Sequence, residues 1–301
     1  MPTVLRVPGT DRLGEIVEAL RGWQDDEAPV QLHPGDVGWF WRFGARATAA
    51  ALRTWHRDGR ILAVGLLDAP DLLRLTVAPD VRRDPELAER LVADVTLPER
   101  GVLGEGRAAV DAPGGALVRD LLADAGWDLD EPWTPLLRDL TDPVPDPGPD
   151  LRIEVTGPER AHVRTAVQRA AFGRPTFTDE RWRTMAAGPA YADARCLVAY
   201  DRRGDAVAAV TVWSAGNGRP GLLEPMGVHP DHRGHGHGRA VNVAAAAALR
   251  ALGASSALVS TPSANVAAVA TYRSAGFREL PPTRDRYRSA AAVTDGGTAG
   301  S

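Results

Sequence analysis

Three short segments recur in the same order about 150 residues apart, and this repetition constrains the fold more than any other feature of the chain. Leu5-Arg6-Val7 returns as Leu151-Arg152-Ile153. Val77-Ala78-Pro79-Asp80-Val81-Arg82 returns as Val228-His229-Pro230-Asp231-His232-Arg233, and Ala125-Gly126-Trp127 as Ala275-Gly276-Phe277. The offsets of 146, 151 and 150 residues describe two copies of one plan, each the size of an ordinary domain. Between them, residues 141–150 (TDPVPDPGPD) carry proline at 143, 145, 147 and 149. Alternating proline suits neither a helix nor a central strand, so this stretch reads as a semi-rigid linker. The expected division is a first domain over 1–140, a linker over 141–150, a second domain over 151–288 and a small, polar, disordered tail over 289–301.

The second copy alternates strand and helix patterns. Strands are expected at 151–157, 195–200, 206–213, 221–228 and 256–260, and helices at 158–172, 178–187, after the glycine loop up to Gly253, and at 265–275. Such alternation implies an α/β protein with helices on the faces of a mixed sheet. One cysteine, Cys196, excludes a disulfide framework and a Cys-cluster metal site, and it reads as a small core residue. The opening residues lack the apolar segment of a secretory signal. The most apolar stretch, 240–252, is short and interrupted by Asn242 and Arg250. A soluble cytoplasmic protein without a membrane partner is expected.

The net charge of −4 conceals an asymmetry: residues 1–150 hold 16 Arg and 27 acidic residues, and residues 151–301 hold 19 Arg and 12. The second half is therefore the better host for an anion, though its excess is too scattered for nucleic acid. Its most informative stretch is strand, loop and helix in succession: GLLEPMGV, HPDHRGHGHGR, AVNVAAAAALRALG. Glycines 234, 236 and 238 let successive amides converge on an anion at a helix N-terminus, with Arg233 and Arg239 alongside. This geometry suits a pyrophosphate. The chain has no lysine, which excludes a phosphate-binding lysine loop, and the glycine spacing is not that of a dinucleotide fingerprint. His229, His232, His235 and His237 read as surface loop histidines, with no carboxylate or thiolate cluster to complete a metal site.

Arg233-Gly234-His235-Gly236-His237-Gly238, preceded by V-x-P-x-x, together with Asn265-Val266-Ala267-Ala268, Tyr272 and Ala275-Gly276-Phe277, resembles the acetyl-CoA-binding core of the GNAT superfamily of N-acetyltransferases. The two-copy layout is similar to that of tandem GNAT proteins. The resemblance implies two tandem domains, each a mixed, mostly antiparallel sheet flanked by helices. It implies that the strand before the glycine loop splays from its neighbour, with pantetheine pairing against exposed backbone near Met226 and Val228. Pro225 fits such a splay. The Met226 amide would then hold the thioester carbonyl, and the amides of Gly234, His235, Gly236, His237, Gly238 and Arg239 the pyrophosphate. Asn265 and Tyr272, two helical turns apart, would face the cofactor, Tyr272 protonating the departing thiolate. Glu224, in an apolar strand that would raise its pKa, is the expected general base, with a structural partnership to an arginine as the alternative.

The first copy places Arg83, Pro85 and Leu87 where the second has glycines 234, 236 and 238, and no tyrosine precedes Tyr191. It is expected to be a degenerate copy that binds no CoA. Its Trp39, Phe40, Trp41, Trp55 and Trp133 are expected in the core, or else along a substrate cleft or an inter-domain surface. The expected activity is acetyl-CoA-dependent acetylation of a primary amine of a small molecule (antibiotic-like, amino-sugar or amino-acid-like) by direct attack, in a monomer or homodimer. A CoA- or ligand-binding protein without turnover and a peptide N-acetyltransferase would use the same cofactor site.

Overall fold

A computed structural model describes residues 2–148, 151–173 and 176–290. The ends of the expected linker and of the expected tail, residues 149–150 and 291–301, lie outside the described residues. The first copy runs β1 (Val4–Arg6), α1 (Leu13–Gly22), α2 (Pro34–Phe40), α3 (Ala45–Ala51), β2 (Leu52–Arg57), β3 (Arg60–Ala69), β4 (Leu72–Val77), α4 (Pro85–Thr96), β5 (Ala108–Asp111), α5 (Leu117–Asp124), β6 (Asp128–Leu129) and β7 (Trp133–Asp139). The second runs β8 (Arg152–Val155), α6 (Ala161–Phe172), α7 (Asp179–Ala186), β9 (Ala194–Tyr200), β10 (Ala206–Ser214), β11 (Gly221–Val228), α8 (His237–Ala251), β12 (Ser256–Pro262), α9 (Val266–Ser274), β13 (Arg278–Glu279) and β14 (Arg286–Arg288). α7 and α9 start where side chains satisfy their first amides: Thr178 accepts from the Arg181 amide at 3.2 Å, and Asn265 from that of Ala268 at 3.2 Å.

The strands form two seven-stranded, mostly antiparallel sheets, ordered β1-β2-β3-β4-β5-β14-β6 and β13-β7-β12-β11-β10-β9-β8. The two copies trade their last strands. β7 leaves the first copy and pairs with β12 over its whole length, from Trp133 opposite Pro262 to Asp139 opposite Ser256. β14 makes the reciprocal crossing, its Arg286 opposite Val110 on β5 and Leu129 on β6. Sequence copies and folded sheets therefore divide the chain differently. The proline-rich segment joins β7 to β8 within the second sheet, and just before it Arg250 of α8 donates to the Leu140 carbonyl at 3.0 Å.

One apolar cluster crosses from copy to copy, joining Leu13, Ile16 and Val37 of the first to Trp182, Met185 and Trp213 of the second. Gly35 and Gly38 make this approach possible. A Cβ on Gly35 would stand 2.5 Å from the Trp213 Cβ, and one on Gly38 would overlap the Trp213 ring. A helix surface stripped of side chains thus lies against Trp213, and this brings Asp36, between the two glycines, up to the middle of the second sheet at β11.

Candidate active site

β11 and β12 run parallel and pair only at Gly221 with Ala257 and Leu222 with Leu258. Beyond that point they diverge, and among the described residues the edge of β11 from Leu223 to Val228 has no strand partner on the β12 side. On its other edge the pairing with β10 steps from Val210–Met226 to Val212–Leu223, so Glu224 and Pro225 together oppose Thr211. This bulge turns the Glu224 side chain out of the regular alternation. The indole of Trp213 fixes the bulge by donating to the Glu224 carbonyl at 2.7 Å.

A cavity of about 450 Å³ opens from the divergence. Glu224, Met226, Asn265 and Tyr272 all line it. Tyr272 is 5% exposed and packs edge-on against Phe277; burial, and secondarily the charge of Glu224, raises its pKa, so its hydroxyl holds its proton. Asn265 spends its carbonyl oxygen on the cap of α9. Glu224 is half-buried, and burial, followed by the nearby Asp36 carboxylate, pushes its pKa up to about 8. Arg74 opposes that rise, while a hydrogen bond between Glu224 and Asp36 favours the protonated form. Asp36 itself is held rigidly: one oxygen accepts from the His33 amide at 2.6 Å and the other from Arg74 at 2.7 Å.

Val228, Arg233, Gly234, His235, Gly236, His237, Gly238 and Arg239 lie at the far end of β11 and in the turn into α8, outside the lining of the cavity. Gly236 caps α8 with φ +80°, a conformation that side-chain-bearing residues rarely adopt, and no side chain closes the helix end. The amides of the first turn are thus free to meet an anion. Gly238 allows α9 to pass close by, for a Cβ there would stand 2.8 Å from Thr271. Arg233 and Arg239 are tethered to helix-end carbonyls, Ala171 and Ser274, both at 3.1 Å. The loop histidines follow one another, with ring centroids 5.4–6.4 Å apart. Burial and the neighbouring imidazoles lower the pKa of His237. Among the described residues no group of three or more His, Cys, Asp or Glu is placed to hold a metal ion.

The equivalent end of the first copy is closed. Asp84 caps α4, accepting from the Leu87 amide at 2.8 Å, and Arg57 pairs with it at 2.7 Å. An internal carboxylate and its arginine thus stand at the helix end. Of the aromatics expected in this copy's core, Trp55 is fully buried, Trp39 and Trp41 pack against Phe177 and Gly188 across the inter-copy surface, and Trp133 lines the cavity.

Sequence reasoning missed the part of the cavity supplied from elsewhere. Asp36, Asp68, Arg74 and Asp111 come from the first copy, and Asp285 precedes the exchanged strand β14. The glycines around Asp36 were the one local signal of a close approach. Nothing in the sequence marks the strand exchange.

Two like folds and a splayed sheet beside an uncapped helix end are the features of a tandem GNAT fold. Residues 163–277, most of the second copy, match the acetyltransferase (GNAT) family. Solved structures share the fold across the whole chain. A GCN5-related N-acetyltransferase from Sphaerobacter thermophilus is 20% identical, with 95% of each chain covered and a TM-score of 0.59. A GNAT-family acetyltransferase from Colwellia psychrerythraea is 15% identical, covering 96% of this chain and 100% of that one, with a TM-score of 0.59. A tandem GNAT protein from the clavulanic acid biosynthesis pathway is 16% identical, covering 96% and 98%, with a TM-score of 0.57. At these identities the likeness is one of fold. No curated protein matches the sequence. GNAT acetyltransferases generally take acetyl-CoA as cosubstrate, and no helix among the described residues is long and apolar enough to cross a membrane.

Proposed function

We propose that the protein acetylates a primary amine of a small molecule, using acetyl-CoA held by the second copy alone. The observation that carries this reading is the divergence of β11 from β12 with Glu224 and Tyr272 on the cavity it opens. The free edge of β11 around Met226 and Val228 offers backbone groups to pantetheine, Asn265 lines the cavity along it, and the uncapped turn over Gly234–Gly238 offers amides to the pyrophosphate. The group held there supplies an activated acetyl thioester. Glu224 takes a proton from the incoming ammonium, which makes the nitrogen a nucleophile able to attack directly. Its raised pKa makes it a useful base near neutral pH. Tyr272, buried and protonated, donates its proton to the departing sulfur, and the second proton shed by the acylated nitrogen restores the phenol. The first copy is degenerate as a CoA site, because Asp84 already occupies its helix end.

The test is calorimetric titration with CoA, followed by thiol release from acetyl-CoA across a panel of amines. One CoA per chain and amine-dependent thiol release are expected. Absence of CoA binding, or two CoA per chain, overturns the assignment.

A further inference from the structure

The cavity does not end at the transferase site. It continues to the end of the first copy's β4, where Asp68, Leu72, Arg74, Asp111 and Ala112 line it. By the repeat offset of 151, Arg74 occupies the place of Pro225, so the cavity joins the equivalent mouths of the two copies. One mouth carries Glu224 and Tyr272, and the other carries acids. The charged side chains on the whole lining are Asp36, Asp68, Asp111, Glu224, Asp285 and Arg74. Arg74 is committed to Asp36 at 2.7 Å and Asp111 at 3.4 Å. The next cations, Arg42 and Arg119, are outside the lining and bond the carbonyls of Trp39 and Ala112, each at 2.7 Å. Among the described residues, no side chain forms an ion pair with Asp68 or Asp285.

Resting on the acetyl-transfer reading above, we infer that the acceptor carries at least two amino groups, one presented to Glu224 and a second held as an ammonium by the first copy's mouth, with Asp111, Asp285 and Asp68 as the specificity-determining residues. The degenerate copy is then the acceptor subsite of its sister. Burial, and then Asp111, pushes Asp285 up to about 7, and burial raises Asp111 as well. Carboxyls crowded in this way gain from a cation placed among them. Trp133, 41% exposed on the same wall, presents an aromatic surface that an ammonium also favours. An amino-acid-like acceptor fits poorly, because its carboxylate would meet like charge and the one lining guanidinium is already engaged.

The experiment compares spermidine with butylamine on the full chain, both as thiol release from acetyl-CoA and as binding to the CoA-saturated protein. Spermidine is expected to show a KM and Kd lower by about tenfold or more, with the gap closing as salt rises from about 50 to about 500 mM. Asp285→Asn is expected to narrow the spermidine–butylamine ratio by about threefold or more. Asp68→Asn, on the exposed rim, is expected to act in the same direction and covers the case in which the first variant misfolds. Equal affinities for the two amines, or a ratio unchanged in both variants, overturns the inference. If CoA itself fails to bind, the acetyl-transfer reading falls. If CoA binds and the polycation preference is missing, only the acceptor assignment falls, and the binding titration reads this with or without turnover.

Discussion

In the proposed reaction Glu224 and Tyr272 are the residues on which the chemistry turns, and their environments make opposite demands. Tyr272 is buried enough to keep its proton until the sulfur needs it. Tyr272→Phe should therefore lower kcat by about 10²–10⁴-fold, with little change in the KM for acetyl-CoA. Unchanged turnover removes Tyr272 as the acid. Glu224 acts only once ionised. With its pKa near 8, kcat/KM should rise with pH up to about 8 and level off above. In Glu224→Gln that limb should vanish, leaving only the ionisation of the amine, which moves with the amine chosen. A limb that persists at the same pH for every amine in the variant would assign the base elsewhere. The sequence placed both positions, Tyr272 through the family resemblance with a spacing that sets it on one face with Asn265, and Glu224 through its apolar strand, and both line the cavity. Asp36, whose hydrogen bond and charge tune Glu224, was not legible, because it lies 188 positions away on a helix whose approach depends on Trp213.

At the scale of elements, the two copies differ at one helix end. α4 is capped by the Asp84 carboxylate, whereas α8 begins on Gly236 with no side chain across it. Gly236→Asp recreates the first copy's arrangement in the second and should weaken CoA binding by about tenfold or more. Gly236→Pro should abolish it, since proline fixes φ near −65° where the chain needs +80°. CoA titration of either variant measures this, and a normal affinity in Gly236→Pro would refute the loop assignment. Asn265→Ala removes the cap of α9 and should cost about 0.5–2 kcal/mol in a denaturant melt. These elements were readable from the chain because their causes are local: a glycine loop, an alanine-rich helix, and a cap three residues ahead of the amide it serves. β11 was placed at 221–228 and is observed at Gly221–Val228.

For the whole molecule the sequence was a poorer guide. It showed two copies and a semi-rigid linker between them, yet pairing across copies leaves no local trace, since β7 and β14 would read alike in either sheet. A protease site inserted into 141–148 and cut should therefore leave two fragments that co-elute on size exclusion and melt in a single transition. Fragments that part without denaturant would contradict the exchanged strands. The shared cluster around Trp213 predicts the same cohesion, and Gly38→Ala, which pushes into that ring, should lower stability by about 1–3 kcal/mol.

The reciprocal crossing of β7 and β14 also bears on how such a protein could change over time. Once each copy completes the other's sheet, the front copy can give up its own chemistry but cannot be deleted, since its loss would unravel its sister. If, as proposed, it binds no cofactor yet is obliged to persist, it is a surface on which mutation away from Asp36 can reshape what the rear copy accepts.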